Sequence, residues 1–466
     1  MADRQIGFIE KLTGKIKKVC QIEKKLFYQY DVKRGLRNQD HTGVLVGLTN
    51  IGDVVGYRKE DDKIIPIDGE LYYRGYQIKE LVKGFQNDGR HGYDEICYLL
   101  LTGELPSKKE LDIFSNYLAS KRGLPAVFKK SILMTERTIP EQNLMNLLSR
   151  EVLTLYTLDQ KPEDRSEENV VTQIFDLIAK YPAILAYSMN AAEHTFNNET
   201  LSIRNPREDL TTAENFLYML KGENYTRLEA DILDLALVLH AEHGGGNNST
   251  FTNRVVSSAG TDTYAAISAA IGSLKGIYHG GANKKVMEMM DHLKENIEDW
   301  TDKQEIADYV LKILKKEVFD GFGKIYGFGH AVYTLSDPRT ELLRGKAEEL
   351  AREKGRDKEF ALYKNLEEVA PEVFAKFKGQ NKGKILCANV DFYSGFVYSN
   401  IGLSRDMFTP IFSMARMAGW CAHRLEEINH SSKRIIRPAY KNVNSRKDYK
   451  PMLQREGHKI KNSPLI

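Results

Sequence analysis

The sequence lacks several features that mark specialised classes of protein. Only 4 of its 466 residues are cysteines, with no CxxC pair, which argues against a disulfide framework or a zinc ribbon and predicts mostly buried thiols. No run approaches the roughly 18 apolar residues of a membrane span. Neither sign of charge dominates, because the formal net charge is +3, so nucleic acid is not expected as the main partner.

The N-terminus also lacks a recognisable targeting segment. Asp3, Arg4, Glu10 and Lys11 interrupt the apolar region that a secretory signal needs, and residues 1–38 contain no serine and several acids, unlike a transit peptide. We therefore expect a cytoplasmic protein with no membrane partner.

What the chain does contain is typical of a large globular protein. Hydrophobic residues make up 42% and charged residues 28%, which suits two or three domains with ordinary cores. Only 13 prolines interrupt the chain, and from about residue 78 apolar residues recur at helical spacing, so we predict a mostly helical, all-α fold. Short β-branched runs at 44–46, 54–57 and 64–67 predict small hairpins before that point.

Sequence signals also predict individual helices. Ser107 with Glu110, and Thr211 with Glu214, have the spacing of capping boxes. An amphipathic stripe over residues 5–28 predicts a further helix. That helix docks on its own protein or on a partner subunit, or it lies on a membrane surface.

Five segments combine reactive side chains with glycines or helix ends. In the first, HAEHGGGNNST at 240–250, His240 and His243 lie three residues apart on one helix face, a spacing used by metal ligands, although no third ligand is obvious. Alternatively, His240 caps the carbonyl groups at a helix C-terminus. His243 adjoins the glycines, where backbone can approach a ligand closely.

The second segment is YHGGAN at 278–283, ahead of a helix for which Asn283 is a candidate N-cap. The positive end of a helix disfavours an imidazolium, so His279 is expected to be neutral and able to donate a hydrogen bond to a developing oxyanion. The alternative is a buried histidine that is satisfied by its own loop.

The third and fourth segments lie close together in the chain. GFGHAVY at 327–333 resembles a phosphate-cradling loop, but it does not fit GxGxxG and has no strand–helix context. In the DPR segment, Asp337 is the expected N-cap of a helix and Pro338 its first residue. Arg339 in that first turn opposes the helix dipole, so it binds an anion or pairs with Asp337 or Glu341.

The fifth segment is NVDFYSG at 389–395. Its carboxylate, Asp391, lies among apolar and aromatic residues, where desolvation would raise its pKa and make it a stronger base. Alternatively, Asp391 forms a helix cap or a turn.

Together, in this order and spacing, these segments resemble the citrate synthase family. The resemblance rests on HAEHGGGNNST, YHGGAN, GFGHAVY followed by DPR, NVDFYSG, and IIRP at 435–438, with support from IDGELYYRGY, CYLLLTGELP and TAENFLYML. It covers about residues 45–445, and residues 1–40 lie outside it.

The resemblance implies a mostly helical, two-domain, obligate homodimer. A large domain would span residues 1–278, including the extension 1–40, and a small domain residues 279–400. Residues 401–466 would return to the large domain and reach the partner subunit. Members condense acetyl-CoA with oxaloacetate in the tricarboxylic acid cycle, giving citrate and CoA, with no metal and no permanently bound cofactor.

The resemblance also implies roles for three catalytic residues. Asp391 corresponds to the base that removes a methyl proton from acetyl-CoA. His279 corresponds to the hydrogen-bond donor to the thioester oxygen, and His330 to the residue that polarises and protonates the oxaloacetate carbonyl.

Further matches concern binding. Four residues resemble those that hold the oxaloacetate carboxylates, the last of them from across the dimer: His243, Arg339, Arg416 and Arg437. Thr334 departs from the family, which usually has Lys or Arg at this position, near the CoA phosphates. Contacts to CoA are therefore expected from other groups: Gly327, Gly329, Lys324, Lys382 and Lys384.

Three alternatives stay open. The same reaction with propionyl-CoA would make the protein a 2-methylcitrate synthase, and one extra methylene discriminates between substrates by only about 1–3 kcal/mol. A metal-dependent hydrolase would use His240, Glu242 and His243. A non-catalytic helical scaffold would have no need of all three catalytic residues named above.

Overall fold

The computed structural model describes residues 2–38, 40, 42–61, 63–134, 143–379 and 386–455. The predicted all-α class is confirmed. In the described part of the chain the α-helices are α1 Ala2–Val19, α2 Lys24–Gln29, α3 Ile78–Asn87, α4 Tyr93–Thr102, α5 Lys108–Lys121, α6 Ala126–Met134, α7 Leu144–Tyr156, α8 Glu167–Asn197, α9 Thr212–Lys221, α10 Arg227–His240, α11 Asn248–Ser258, α12 Thr263–Leu274, α13 Ala282–Asn296, α14 Lys303–Leu314, α15 Pro338–Lys354, α16 Asp357–Phe377, α17 Val390–Asn400 and α18 Phe408–Ile428.

The predicted capping boxes are confirmed at the starts of α5 and α9. Ser107 and Thr211 each accept a hydrogen bond from the backbone N–H three residues on, and the glutamate there accepts one from the N–H of the cap. The prediction for Asn283 is wrong, because α13 begins one residue earlier, after Gly281. The buried amide of Asn283 instead donates to the hydroxyl of Ser394 on α17.

Within the residues that the structure describes, the strands form one antiparallel sheet, of β1 Gly52–Glu60, β2 Lys63–Tyr73 and β3 Tyr76–Gln77. The runs at 54–57 and 64–67 lie in β1 and β2, as predicted. The prediction for 44–46 is wrong. This segment lies outside the sheet. Leu45 and Val46 are exposed, so burial of these side chains does not stabilise a strand there.

The β1–β2 hairpin packs closely on the loop 330–338 at two glycines. A Cβ atom on Gly56 would overlap the carbonyl oxygen of Val332, and one on Gly69 would overlap that of Ser336. The backbone N–H of Gly69 also donates to Ser336 Oγ over 3.1 Å. The small sheet therefore supports the loop that begins with His330.

The core is built around α8, which contacts α5, α6, α9 and α18. Contrary to the expectation from the sequence, α8 is long and apolar enough to cross a membrane, but 72% of that stretch is buried inside the protein, as in a core helix. Three of the four cysteines are buried, as predicted.

Two groups of helices meet at the site described below. In one group α10 and α11 pack on α18, and in the other α14 packs on α16 while α13 and α15 pack on α17. The groups touch where α10 meets α15 and α13 meets α18. The division into domains at residues 278 and 400 stays a prediction.

The first and last described segments of the chain are largely exposed. The helix predicted over 5–28 is two helices, α1 and α2, and the side chains of Phe8, Ile9 and Ile16 on α1 are largely exposed. Docking of this face on a partner subunit stays a prediction. After α18, residues 429–455 form no α-helix or strand and contain one short 3-10 turn, Met452–Gln454.

Candidate active site

The glycine loop 327–329 pairs with residues 387–389, just before α17. A β-bridge and two backbone hydrogen bonds of 2.8 Å join the two segments. Gly327 and Gly329 have φ angles of +81° and +84°, a left-handed conformation that favours glycine. The pairing brings His330, which follows the loop, next to the start of α17.

Asp391 is the second residue of α17, and Asn389 is its N-cap. The Asn389 side chain accepts a hydrogen bond from the Asp391 N–H (3.0 Å) and donates one to the carbonyl of Gly329 (2.9 Å). The cap is therefore not Asp391, whose carboxyl group is left for other contacts. Burial raises the pKa of Asp391 to about 6, although Arg339 opposes the shift.

His330 is held by one ring nitrogen. Its Nδ1 accepts hydrogen bonds from the backbone N–H groups of Val332 (3.1 Å) and Tyr333 (3.0 Å), so the ring proton is on Nε2. The ring stacks on Tyr333 and lies 5.0 Å from the ring of His243. Burial, with a smaller contribution from Arg339, lowers the pKa of His330 to about 4. At neutral pH the residue is an uncharged donor.

His279 is held by the opposite nitrogen. Its Nε2 accepts a hydrogen bond from the backbone N–H of Ser249, 3.3 Å away at the start of α11, so the ring proton is on Nδ1. The Ser249 hydroxyl lies 3.1 Å from the same nitrogen and accepts a hydrogen bond from Trp420 Nε1. Burial, followed by the charge of Arg416, lowers the pKa of His279 to about 4. Ser249 thus occupies Nε2, and Nδ1–H is the donor of the ring.

His240 and His243 lie at the end of α10 and just beyond it. The carbonyl of His240 accepts a hydrogen bond from Arg416 Nε (2.6 Å), and its ring packs against Phe412. The His243 ring is buried, and its Nε2 has no hydrogen-bond partner among the described residues. Burial holds the pKa of His243 well below its ordinary value.

A metal site at His240 and His243 has no support in the geometry. Among the residues that the structure describes, no group of three His, Cys, Asp or Glu side chains is placed to hold a metal ion. The carboxylate of Glu242 instead accepts hydrogen bonds from His423 and from the Gly244 N–H.

The two arginines of the site are buried but differently paired. Arg339 forms a two-point ion pair with Asp337, with Nε at 3.0 Å and Nη2 at 2.7 Å from the carboxylate oxygens. Asp337 also caps α15 and Pro338 is its first residue, as predicted. Arg416 is fully buried, and its Nη1 and Nη2 have no hydrogen-bond partner in the described part of the chain. An unpaired buried charge of this kind is costly, so the site is suited to an anion.

The charges of these two arginines lower the pKa values of three histidines and one carboxyl group of the site. Arg416 lowers the pKa of His279 and Asp391, and Arg339 lowers that of His330 and Asp391. Both lower the pKa of His243. Six residues that the sequence predicted from separate segments therefore form one cluster: His243, His279, His330, Arg339, Asp391 and Arg416.

Arg437 lies outside this cluster. The N–H of Ile436 donates to Ser258 Oγ (3.0 Å) at the end of α11, about 14 Å along the helix axis from Ser249 at its start. The side chain of Arg437 is exposed there. Its action in a partner subunit's site stays a prediction.

The predicted CoA contacts are also outside the cluster or serve other purposes. Lys324 is exposed, and Lys382 and Lys384 lie outside the described residues. The backbone groups of Gly327 and Gly329 are engaged in the pairing with 387–389. Their contact with CoA stays a prediction.

Two residues that hold the site, Ser249 and Asn389, were not predicted from the sequence. Ser249 acts through its backbone N–H, which any residue except proline offers. Asn389 did carry a signal, since an Asn directly before a helical run is a common N-cap.

Comparisons with known proteins identify the family of this chain. The family described as "Citrate synthase, C-terminal domain" matches residues 40–439. The citrate synthase of Haloferax volcanii is 35% identical over 415 residues, which cover 88% of this chain and 94% of that protein. The 2-methylcitrate synthase of Shewanella oneidensis is 32% identical over 380 residues, covering 81% and 90%.

A solved structure gives the same result for the fold. It is the citrate synthase of the archaeon Thermoplasma acidophilum in a ternary complex with carboxymethyl coenzyme A and oxaloacetate. It superposes with a TM-score of 0.73 at 25% identity and covers 91% of this chain and 99% of that one. Since the family matches most of the chain and relatives above 30% identity span nearly their whole length, this protein is an acyltransferase that belongs to the citrate synthase family.

Proposed function

We propose that this enzyme is a citrate synthase, which condenses acetyl-CoA with oxaloacetate and releases citrate and CoA. The observation that carries the proposal is the buried guanidinium of Arg416 with two open nitrogens, near the paired Arg339. Oxaloacetate is a dianion, and arginine binds carboxylates through paired hydrogen bonds. The open Nε2 of His243 supplies a further polar contact.

The first chemical step is removal of a proton from the methyl carbon of acetyl-CoA. Asp391, a carboxylate with a raised pKa, takes the proton. A thioester methyl group is too weakly acidic to lose it unaided, so the developing enolate oxygen needs a donor. The Nδ1–H of the neutral His279 supplies that hydrogen bond.

The second step forms the new carbon–carbon bond. The enolate carbon attacks the carbonyl carbon of oxaloacetate, and the carbonyl oxygen receives the Nε2 proton of His330, which is left as an imidazolate. Net transfer of the proton held by Asp391 to this ring, through solvent, restores both groups for the next turnover. Water then cleaves the C–S bond of the resulting citryl thioester, and CoA leaves as a thiol. The neutral state of His330 suits this role, because a neutral imidazole donates a hydrogen bond without protonating its partner early.

The acyl group itself is the finer part of the proposal. A 2-methylcitrate synthase is a relative at 32% identity, and the two reactions differ by one methylene in the acyl-CoA. We expect kcat/KM to be higher for acetyl-CoA than for propionyl-CoA. The reverse order would identify the enzyme as a 2-methylcitrate synthase instead.

We also propose that the enzyme works as a homodimer, with Arg437 completing the partner's site. In support, Arg437 lies on a segment without helix or strand that exposes large apolar side chains, including Ile435 and Tyr440. Mixing Arg437→Ala subunits with Asp391→Asn subunits tests this proposal. Recovered activity supports shared sites, and continued inactivity of the mixture contradicts them.

A thiol-release assay tests the main proposal. CoA release from acetyl-CoA is measured with and without oxaloacetate. We expect release to depend on oxaloacetate, with citrate formed in equal amount. Equal release under both conditions would indicate a thioesterase and contradict the proposal.

A further inference from the structure

A chain of polar side chains, fully buried at Glu242 and His423 and partly exposed at Glu426 and Glu427, lies behind the cluster, and the proposed chemistry does not use it. We call it the Glu242 relay, and it consists of Glu242, His423, Arg254, Glu426 and Glu427. Glu242 and His423 have no exposed surface, and Oε1 of Glu242 lies 2.9 Å from His423 Nε2. Arg254 lies on α11 and the other three partners on α18 or directly at its end.

The hydrogen bonds fix the direction of the relay. Both Nε and Nη2 of Arg254 donate to His423 Nδ1, at 3.0 and 2.7 Å. A guanidinium can only donate, so Nδ1 is the acceptor and the His423 proton is on Nε2, directed at Glu242. Arg254 in turn pairs with Glu426 and, over 3.0 Å, with Glu427.

Glu242 connects the relay to the substrate-binding groups in two ways. Its carboxylate accepts the backbone N–H of Gly244, which fixes the turn that carries His243. It is also a buried anion close to Arg416, and its charge partly offsets the loss of solvation of that guanidinium. Side chains at Gly52 or Gly419 would overlap Glu242, so the carboxylate is tightly enclosed.

We propose that His423 is a positioning residue that keeps Glu242 turned toward Gly244 and away from the open nitrogens of Arg416, so that Arg416 is free to bind a carboxylate of the substrate. The inference rests on the proposed function, because it takes oxaloacetate as the anion. Oε2 of Glu242 has no hydrogen-bond partner among the described residues. Without the His423 donor, Glu242 pairs with Arg416 and competes with the substrate.

The test compares three variants with the wild type. His423→Leu removes the donor, His423→Gln keeps a donor near the Nε2 position, and Arg424→Gln is the matched control. Arg424 is the next residue of α18, is equally buried and donates to Ser257 Oγ and the carbonyl of Thr261, away from Glu242. Steady-state kinetics, calorimetric binding of oxaloacetate and thermal melting are measured for each.

We expect His423→Leu to raise KM and Kd for oxaloacetate by about 10- to 100-fold, since a hydrogen bond to a charged group is lost and a competing ion pair forms. The kcat at saturation changes less than about fivefold, because the reacting groups remain. His423→Gln recovers most of the affinity. Arg424→Gln lowers the melting temperature but leaves KM unchanged.

The outcomes distinguish a failure of the proposed function from a failure of the positioning role of His423. If the wild type shows neither oxaloacetate binding nor condensation, the proposed function fails. If the wild type is active but His423→Leu binds oxaloacetate normally, or if the Leu and Gln variants lose affinity equally, the positioning role of His423 is wrong. The positioning role would also be wrong if His423→Leu had a smaller folded fraction than Arg424→Gln but an unchanged KM for oxaloacetate.

Discussion

His279 and His330 are both buried, neutral imidazoles, but the backbone holds them by opposite ring nitrogens. Ser249 donates to Nε2 of His279, which makes Nδ1–H the donor of that ring, whereas Val332 and Tyr333 donate to Nδ1 of His330, which makes Nε2–H the donor. The groups that hold the two rings are backbone N–H groups. They do not titrate, so they remain hydrogen-bond donors when the pH changes. The difference shows how one fold can present the same side chain through opposite ring nitrogens. In the proposed mechanism, the two rings are directed at oxygens of different substrates.

The largest expected effect comes from removing the carboxylate of Asp391, the proposed base. In Asp391→Asn no base accepts the methyl proton, so kcat should fall by about 10²–10⁴-fold. Binding of oxaloacetate should persist, because both arginines remain. Steady-state turnover measures kcat, and calorimetry measures the binding of oxaloacetate. Turnover near the wild-type value would remove Asp391 from the mechanism.

Replacing each imidazole by an amide tests the difference between the two rings directly. The Asn amide places a donor near the Nδ1 position and the Gln amide near the Nε2 position. Losing such a donor costs about 10²–10³-fold in kcat. We therefore expect His279→Asn to be more active than His279→Gln, and His330→Gln more active than His330→Asn. The same order at both positions would contradict opposite orientations.

The pH profile distinguishes the carboxylate from the imidazoles. Asp391 acts only when deprotonated, and its pKa is about 6, so kcat/KM for acetyl-CoA should rise with pH through that value. Both imidazoles have pKa values of about 4 and stay neutral above it. Below pH 6 the rate should therefore fall by about tenfold per pH unit, as expected for one ionisation. A slope of two would mean that a histidine titrates as well.

The smallest expected effect concerns Ser249. Its backbone N–H, not its hydroxyl, sets the position of the His279 proton, so Ser249→Ala should keep kcat within about threefold of the wild type. The lost hydroxyl contact to Trp420 should appear mainly as a lower melting temperature. A loss above 100-fold would show that the hydroxyl, and not the backbone, holds the ring.

The sequence predicted those parts of the site that depend on local signals. The Asp337–Pro338 start of α15 and the capping boxes of α5 and α9 follow from neighbours within four residues, and all are confirmed. Asn283 failed as a cap because its amide has a better partner, Ser394, on a helix more than a hundred residues away.

Contacts between distant segments were beyond such reasoning. Ser249 meets His279 across 30 residues, and His423 meets Glu242 across 181. Neither contact is visible as a spacing, because packing of α11 on α12 brings together the first pair and packing of α10 and α11 on α18 the second. From the sequence alone, Arg339 can pair with either Asp337 or Glu341. In the folded loop it pairs with Asp337, while Glu341 pairs with Lys79.

The most direct test of the account is the ring state of the two histidines in solution. Nitrogen-15 NMR of histidine-labelled enzyme at pH 7, with signals assigned through His279→Asn and His330→Gln, reports which ring nitrogen carries the proton. We predict a neutral Nδ1–H form for His279 and a neutral Nε2–H form for His330. A charged imidazolium at either residue, or the same proton position in both, would contradict the account.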